Sequence, residues 1–300
     1  MNANQYLENL SVPQGKIDVV IDTDAYNEID DQFAIAYLLR NSEKLNTVAI
    51  YAAPFSFPHI SPEEGMEASY KEILNLLSLS GVELPVYRGS TRYLESESAP
   101  VISEAAEHLA SLANNYSPEK PLYVVAIGAI TNVASAILLN PRIKENCVII
   151  WLGGHSHEME ITDEYNMKQD IAAARVVMSS GAPFIQLPCA GVVSGFAISE
   201  SELERFFSGH GPLADYLARH SLEEMKEHRG LPWTRVIWDV TAVAWLLNED
   251  DRFMLSRVMP TYLPDYTNHY ERAPIDAESR YVYFIRRDAL MRDLIDKVCD

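Results

Sequence analysis

Short apolar runs alternate with longer helix-like segments along the first 190 residues of the chain. The runs have the length and β-branched content of buried strands, and they cover residues 17–22, 46–52, 84–87, 122–127, 147–152 and 183–187. The segments between them have apolar residues at helical spacing, and they cover residues 29–40, 62–80, part of 102–115, 131–139 and about 170–178. This alternation predicts an α/β fold with an open, mostly parallel central sheet and helices on both faces.

The sequence predicts a single domain over residues 1–300. Hydrophobic residues make up 48% of the chain, which is enough to bury a large core. No stretch rich in Pro, Gly and Ser divides the sequence, and no internal repeat is present. Residues 199–229 have the pattern of two polar helices, which we expect to form a helical cap beside the sheet.

Acidic residues exceed basic ones by 43 to 24, which gives a formal net charge of −19. Such a surface repels phosphate backbones and anionic lipids, so we expect no nucleic-acid partner and no membrane partner. No apolar run approaches the roughly 18 residues of a membrane span, and the N-terminal residues lack the pattern of a secretory signal. Three widely separated cysteines indicate neither a disulfide framework nor a metal motif, which favours a cytoplasmic location.

Five carboxylates follow the first predicted strand within ten residues: Asp22, Asp24, Glu28, Asp30 and Asp31. In open α/β sheets, ligands bind at the carboxyl ends of the strands. Some of these acids have ordinary roles open to them, because Asp30 or Asp31 can cap a helix and we expect Glu28 to face water. Asp22 and Asp24 leave a buried strand toward the same edge, and like charges so close call for a cation. Oxygen ligands without His or Cys indicate Ca²⁺ or Mg²⁺.

This acidic cluster resembles the N-terminal signature of the nucleoside hydrolases, the inosine/uridine-preferring N-ribohydrolases, in which a strand ends in Asp-x-Asp-Pro-Gly-x-Asp-Asp. Other segments are similar to further motifs of that family in the same order: residues 84–89 (LPVYRG), 125–132 (VAIGAITN), 151–154 (WLGG), 163–166 (DEYN) and 236–244 (VIWDVTAVA). The resemblance extends from about residue 17 to 250, and more loosely to the end. It implies the nucleoside hydrolase fold, whose core is Rossmann-like.

The resemblance implies Ca²⁺ as the cofactor. Asp24, Asp31 and Asp239 would bind it through carboxylates, and Ile127 through its main-chain carbonyl. Asp24 would also be the catalytic residue, a general base that takes a proton from a water on the ion. The implied reaction is hydrolysis of the N-glycosidic bond of a ribonucleoside or related N-riboside, which gives ribose and the free base. Asp22 either supports these ligands or is satisfied by loop amides.

The same resemblance implies that the ribose hydroxyls are held by Asp30, Glu164, Asn166 and Asp239. Carboxylates and amides suit a diol because they form paired hydrogen bonds. Taken alone, Glu164 and Asn166 could instead belong to a helix N-terminus, with Asn166 as the cap and Glu164 in water. The family also forms homodimers or homotetramers, so we expect a homo-oligomer that acts on a small nucleoside or N-riboside.

The sequence departs from the family pattern at four places. The Pro-Gly between the acidic pairs is absent, and the loop from Asp24 to Asp30 is two residues longer. Trp238 stands where many members have a His that protonates the leaving base, and it either stacks on the base or fills the core. After the second strand the family has Val-Gly-Asn, with the Asn near the sugar, whereas this chain has residues 54–58 (PFSFP), in which Ser56 could replace one hydrogen bond of that Asn. Residues 93–98 replace a glycine-rich loop.

These departures affect the base half of the site and leave the metal and ribose half intact. They leave room for a substrate other than a common purine or pyrimidine nucleoside. His155 or His157 either reaches the leaving group or is an ordinary loop histidine. In the longer loop, Tyr26 or Asn27 either contacts the ligand or packs the loop.

Two other functions stay open at this point. Residues 19–24 (VVIDTD) also resemble the first motif of haloacid-dehalogenase-like phosphatases, which use Mg²⁺. That family has Thr or Val where Tyr26 stands, so we rank this alternative lower. The second alternative is a non-catalytic riboside-binding protein on the nucleoside hydrolase fold, because a fold does not establish activity.

Overall fold

The computed structural model describes residues 1–226, 234–274 and 277–299. Twelve strands lie in the described part of the chain: β1 (Ile17–Thr23), β2 (Leu45–Ala52), β3 (Val86–Arg88), β4 (Leu122–Ala126), β5 (Cys147–Leu152), β6 (Phe184–Leu187), β7 (Ala197–Ser199), β8 (Thr234–Val236), β9 (Met254–Pro260), β10 (Tyr262–Pro264), β11 (Tyr270–Arg272) and β12 (Glu278–Ile285).

Helices connect most of these strands. In the described residues they are α1 (Ala3–Asn9), α2 (Asp30–Arg40), α3 (Pro62–Ser80), α4 (Glu104–Leu112), α5 (Thr131–Leu139), α6 (Ile143–Asn146), α7 (Tyr165–Gln169), α8 (Ile171–Met178), α9 (Glu200–Glu202), α10 (Pro212–Met225), α11 (Val240–Trp245) and α12 (Arg287–Cys299). No described helix is long and apolar enough to cross a membrane.

The main sheet has eight strands in the order β3-β2-β1-β4-β5-β6-β12-β9. Neighbouring strands are parallel except β12 and β9, which form an antiparallel edge. The predicted α/β fold with a mostly parallel sheet is confirmed. After β1 the chain continues to β2, which pairs with one edge of β1, whereas β4 pairs with the other edge. The strand order therefore reverses between β1 and β4, where ligands bind in such sheets.

Alternate residues of β1 pack against two layers of helices. Val19 and Ile21 belong to a core that includes residues of α2, α3, α10, α11 and α12. Val20 belongs to a second core, with residues of α4, α5 and α8. Because helices cover both faces, the central strands are buried on both sides, and this explains their nearly continuous apolar sequences.

The predicted cap lies partly within the described residues. The short strand β7 pairs with β8 in a separate antiparallel sheet. Helix α10 packs against α2, α3 and α12. It therefore lies on the same face of the sheet as α2, the helix that follows the acidic loop. Residues 227–229 of the predicted cap lie outside the described residues, and its role as a cap, like the single-domain organisation, stays a prediction.

Gly89, directly after β3, allows two chain segments to approach closely. A Cβ atom at this position would lie 1.9 Å from the Ala52 carbonyl oxygen and 2.4 Å from the Asn132 side-chain nitrogen. We therefore expect Gly89→Ala to lower the free energy of unfolding by about 1–3 kcal/mol, the usual effect of overpacking. Urea denaturation measures this. Gly195→Ala is the matched control, because nothing lies within 4 Å of its added Cβ. Equal stability of both variants would contradict the close approach.

Candidate active site

A cavity of about 210 Å³ opens at the carboxyl ends of β1 and β4, where the strand order reverses. Its wall comes from the loop after β1, the ends of β4 and β5, the start of α7 and the segment before α11. The lining residues are Asp24, Asn27, Glu28, Asp30, Asp31, Ile127, Leu152, His155, Glu164, Tyr165, Asn166, Cys189, Trp238 and Asp239. The cavity therefore collects all the predicted metal ligands in one place.

Three buried acids bring oxygen atoms within 4.8 Å of one another: Asp30, Asp31 and Asp239. Asp30 and Asp31 are the first residues of α2, and Asp239 directly precedes α11, which packs against α2. The N-terminus of a helix favours negative charge, so both helix starts stabilise this acidic trio. The hydroxyl of Thr23, at the end of β1, donates a hydrogen bond to Asp31 Oδ1.

Asp24 lines the same cavity from the end of β1, outside the acidic trio. Its side chain is buried, and its Oδ2 has no hydrogen-bond partner in the described part of the chain. A buried carboxylate oxygen without a partner is costly, and a cation would satisfy it. Together with the acidic trio and the Ile127 carbonyl, Asp24 forms a donor set made of oxygen atoms alone. This set fits a hard divalent cation.

Burial and mutual repulsion raise the pKa of these acids. The pKa of Asp24, Asp31 and Asp239 lies well above the ordinary aspartate value, first because of burial and then because of the neighbouring negative charges. Burial is also the main cause that raises the pKa of Asp30 to about 7. A divalent cation among these carboxylates would remove the repulsion and favour their ionised form.

Asp22 lies next to the cavity but does not line it. Its Oδ1 accepts a hydrogen bond of 2.7 Å from the side-chain nitrogen of Asn132, and its Oδ2 has no partner among the described residues. The side-chain oxygen Oδ1 of Asn132 in turn accepts hydrogen bonds from the main-chain N–H and the hydroxyl of Ser90. Burial raises the pKa of Asp22 to about 7, although the Asn132 bond lowers it. Asp22 therefore links the end of β1 to the start of α5, and its role in supporting the metal ligands stays a prediction.

Glu164 and Asn166 meet at the start of α7, and both are buried in the cavity wall. Glu164 is the N-cap, and its carboxylate accepts hydrogen bonds of 2.9 Å from the N–H groups of Asn166, Met167 and Gly154. The Asn166 side chain donates to the Ile127 carbonyl, at 3.1 Å. The helix-terminus alternative is wrong in both roles, because Glu164 and not Asn166 is the cap, and Glu164 is buried.

The predicted base-side residues lie in different places. Trp238 lines the cavity beside Asp239. Ser56 is not among the lining residues, because Tyr93 donates to its hydroxyl oxygen at 2.9 Å and Tyr165 donates to its carbonyl at 3.1 Å. Tyr165 itself lines the cavity, so Ser56 reaches the cavity only through Tyr165.

The two loop histidines are separated. His155 lines the cavity, whereas His157 packs against the rings of Tyr270 and Tyr281 and has Nε2 3.1 Å from Gln186 Oε1. Burial lowers the pKa of His157 to about 4, so its ring is neutral at pH 7. Only His155 is placed to contact a ligand in this cavity.

The longer loop after β1 contributes Asn27 and Glu28 to the cavity wall, while Tyr26 is exposed outside it. Glu28 is partly exposed, as expected, but it also forms an ion pair with Arg235. Arg235 lies 3.5 Å from Asp30 Oδ1 as well, so it links the loop to the acidic trio. Sequence reasoning missed Arg235, and no spacing rule connects it with residues 200 positions earlier.

Sequence reasoning also passed over three further residues of the wall: Leu152, Tyr165 and Cys189. Tyr165 stands inside the DEYN motif, between two predicted ligands, and its position there was the available signal. Cys189 follows β6 and is buried beside Glu164, and burial raises the pKa of its thiol. A thiol in this state is a weak nucleophile, so Cys189 contributes to the wall and not to the chemistry.

Known proteins share both the sequence pattern and the fold. A family model described as inosine-uridine preferring nucleoside hydrolase matches residues 19–282. A probable uridine nucleosidase 2 of Arabidopsis thaliana is 25% identical over 228 residues, which cover 67% of each chain. A solved plant nucleoside hydrolase has a TM-score of 0.74 at 18% identity, over 94% of this chain and 99% of that one. A purine-preferring ribonucleoside hydrolase from Gardnerella vaginalis has a TM-score of 0.74 at 17% identity, over 94% and 98%.

The raised pKa of Asp22 predicts a pH dependence of stability in the protein kept in EDTA. Between about pH 4, the ordinary range of an unfolded aspartate, and pH 7, the folded state binds more protons at Asp22 than the unfolded chain does. Its contribution to stability therefore falls as the pH rises, by at most about 1.4 kcal/mol per pH unit. Asp22→Asn should gain stability relative to wild type between pH 5 and 7 in urea denaturation. A constant difference would contradict the raised pKa.

Proposed function

The chain belongs to the inosine-uridine preferring nucleoside hydrolase family, and we propose that it uses Ca²⁺ to hydrolyse the N-glycosidic bond of a ribonucleoside or related N-riboside, giving ribose and the free base. The observation that carries this proposal is the cluster of buried acids around Asp24 in the cavity. The family model also covers residues 19–24, on which the phosphatase alternative depended, so we set that alternative aside.

We assign the metal to the oxygen atoms of Asp24, Asp31, Asp239 and the Ile127 carbonyl, with Asp30 close enough to take part. Calcium typically takes six to eight oxygen ligands in flexible geometry, which suits a set of several carboxylates and a carbonyl. When bound, the ion supplies a Lewis acid that lowers the pKa of a coordinated water. The unpartnered Oδ2 of Asp24 and the raised pKa values of the cluster support this assignment.

Asp24 is the general base in this proposal. With one oxygen of its carboxylate assigned to the ion, the other takes the proton of the attacking water, whose oxygen forms a bond to C1′ of the ribose. The C1′–N bond breaks, and its electron pair leaves with the base. Positive charge that develops on the sugar is stabilised by the surrounding carboxylates, which are already in place before the reaction.

Asp30, Glu164, Asn166 and Asp239 hold the ribose in this proposal. The carboxylate of Glu164 already accepts three main-chain hydrogen bonds, and these fix its position. The Cys189 thiol also contacts this carboxylate, and Glu164 lines the cavity, where we place the ribose hydroxyls. Asn166 is fixed in the same way by the carbonyl groups of Ile127 and Leu152. A rigid diol site of this kind orients C1′ toward Asp24.

The base half of the cavity is built from Trp238, Tyr165, His155 and Leu152. An aromatic ring such as Trp238 can stack on any flat heterocycle, so this wall does not select one base. We therefore propose an N-riboside substrate and leave its base to experiment. By the same family resemblance, we propose a homodimer or homotetramer, which light scattering can test, and a cytoplasmic location.

Ribose release from a panel of nucleosides, including pyridine and modified-base ribosides, tests the proposed function. We expect release from at least one member, loss of release in EDTA, and recovery when Ca²⁺ is added. A reducing-sugar assay measures it. No release from any member, with Ca²⁺ still bound stoichiometrically, would favour the riboside-binding alternative. Release that EDTA does not affect would contradict the metal-dependent mechanism.

Two variants of Asp24 separate its two proposed roles. Asp24→Ala removes a ligand and the base, so it should abolish turnover. Asp24→Asn keeps an oxygen ligand but cannot accept the proton, so it should lower kcat by about 100-fold or more. Asp18→Asn is the matched control, because Asp18 lies at the opposite end of β1 and is hydrogen-bonded to Asn46. Full activity of Asp24→Ala would refute the mechanism.

A further inference from the structure

His155 lies on a turn that is hydrogen-bonded to the proposed ribose site. The turn follows β5, and Gly154 adopts a left-handed conformation with φ of 78°. A Cβ at Gly154 would lie 2.2 Å from the Tyr270 hydroxyl, so only glycine fits this turn. The N–H of Gly154 donates to Glu164, the carboxylate that we assign to the ribose. Gly154 therefore connects His155 to the carboxylate that we assign to the ribose.

Three hydrogen bonds fix His155. Its main-chain N–H donates to the Thr162 hydroxyl at 2.9 Å, and its carbonyl accepts from the Tyr270 hydroxyl at 2.8 Å. Its ring Nδ1 lies 3.3 Å from the main-chain nitrogen of Ala190, whose N–H donates to it. Main chain and ring are thus both held, and the imidazole is part of a rigid wall.

The bond from Ala190 also decides which ring nitrogen faces outward as a donor. Because Nδ1 accepts a hydrogen bond from the Ala190 N–H, the ring presents its N–H donor at Nε2. The carboxylate of Asp163 lies 3.8 Å from Nε2, which is longer than a hydrogen bond. Within the described residues, the Nε2–H donor therefore has no hydrogen-bond acceptor of its own, and His155 lines the cavity.

We propose that His155 is a catalytic residue that donates a hydrogen bond from Nε2 to the departing base. This rests on the proposed function above. Trp238 stands where the family often has a proton-cycling His, and an indole N–H cannot cycle a proton. In the step, the C1′–N bond breaks and its electron pair goes to the base, whose developing negative charge the Nε2–H stabilises. The water adds to C1′, its proton goes to Asp24, and the base regains that proton through solvent.

In this role the Nε2–H is a hydrogen-bond donor in a fixed position, because Nδ1 is occupied by the Ala190 N–H. Donating a hydrogen bond to the base differs from transferring a proton to it, and the two can be told apart. Removing one such donor to developing charge in other enzymes lowers kcat by about 100- to 1,000-fold.

His155→Ala and His155→Gln test the proposal together. The amide nitrogen of Gln reaches about as far as Nε2 and keeps an uncharged N–H donor. On the best nucleoside of the panel we expect Ala to lower kcat by about 100-fold or more, and Gln to keep most of the activity. On 4-nitrophenyl riboside, whose nitrophenolate leaves without assistance, we expect both variants to retain the wild-type rate.

His157→Gln is the matched control, two positions away and outside the cavity, and thermal unfolding checks that each variant folds. We expect the control to leave the ratio of nucleoside to nitrophenyl rates unchanged. If His155→Ala and His155→Gln lose activity equally, and only on the nucleoside, His155 transfers a proton to the base, which would contradict its role as a hydrogen-bond donor. Equal losses on both substrates, or no loss in Ala, would overturn any role toward the leaving group. If wild type cleaves neither substrate, the proposed function itself fails.

Discussion

Repulsion among buried carboxylates is the interaction on which the rest of this site depends. Asp24 and the acidic trio of Asp30, Asp31 and Asp239 share one cavity, where burial first and neighbouring negative charges second raise the pKa of these acids. Two helix N-termini and the Thr23 hydroxyl stabilise part of this charge, and Arg235 lies against one edge of it. Among the described residues, none of these groups satisfies Asp24 Oδ2, and a cation in the cavity would do so.

The sheet explains why these acids converge although they are far apart in sequence. Asp24 and Ile127 follow two neighbouring parallel strands, and Asp239 is brought in by the packing of α11 on α2. A sequence alone predicts this much, because strand ends in a parallel sheet share one edge and the motifs appear in order. Helix α5 and strand β5 have the predicted bounds, and β5 is a continuous apolar run.

Long-range packing accounts for what the sequence did not predict. Strands β9 and β12 extend the sheet, but their sequences (MLSRVMP and ESRYVYFI) mix polar and apolar residues and lack the continuous apolar run of the central strands. Arg235 and His155 belong to the site because of tertiary hydrogen bonds to Glu28 and Ala190, which no local spacing encodes. Likewise, His155 and His157 look alike in sequence, and only the fold separates them.

Calorimetric titration of the metal-free protein with Ca²⁺ tests the central claim most directly. The buried acids have raised pKa values, so binding should displace protons from them. At pH 6.5, we predict one Ca²⁺ per chain, with an apparent binding enthalpy that changes with the ionisation enthalpy of the buffer, and much weaker binding in Asp31→Asn. An enthalpy that is independent of the buffer, or equal binding by Asp31→Asn, would contradict a metal site made from these carboxylates.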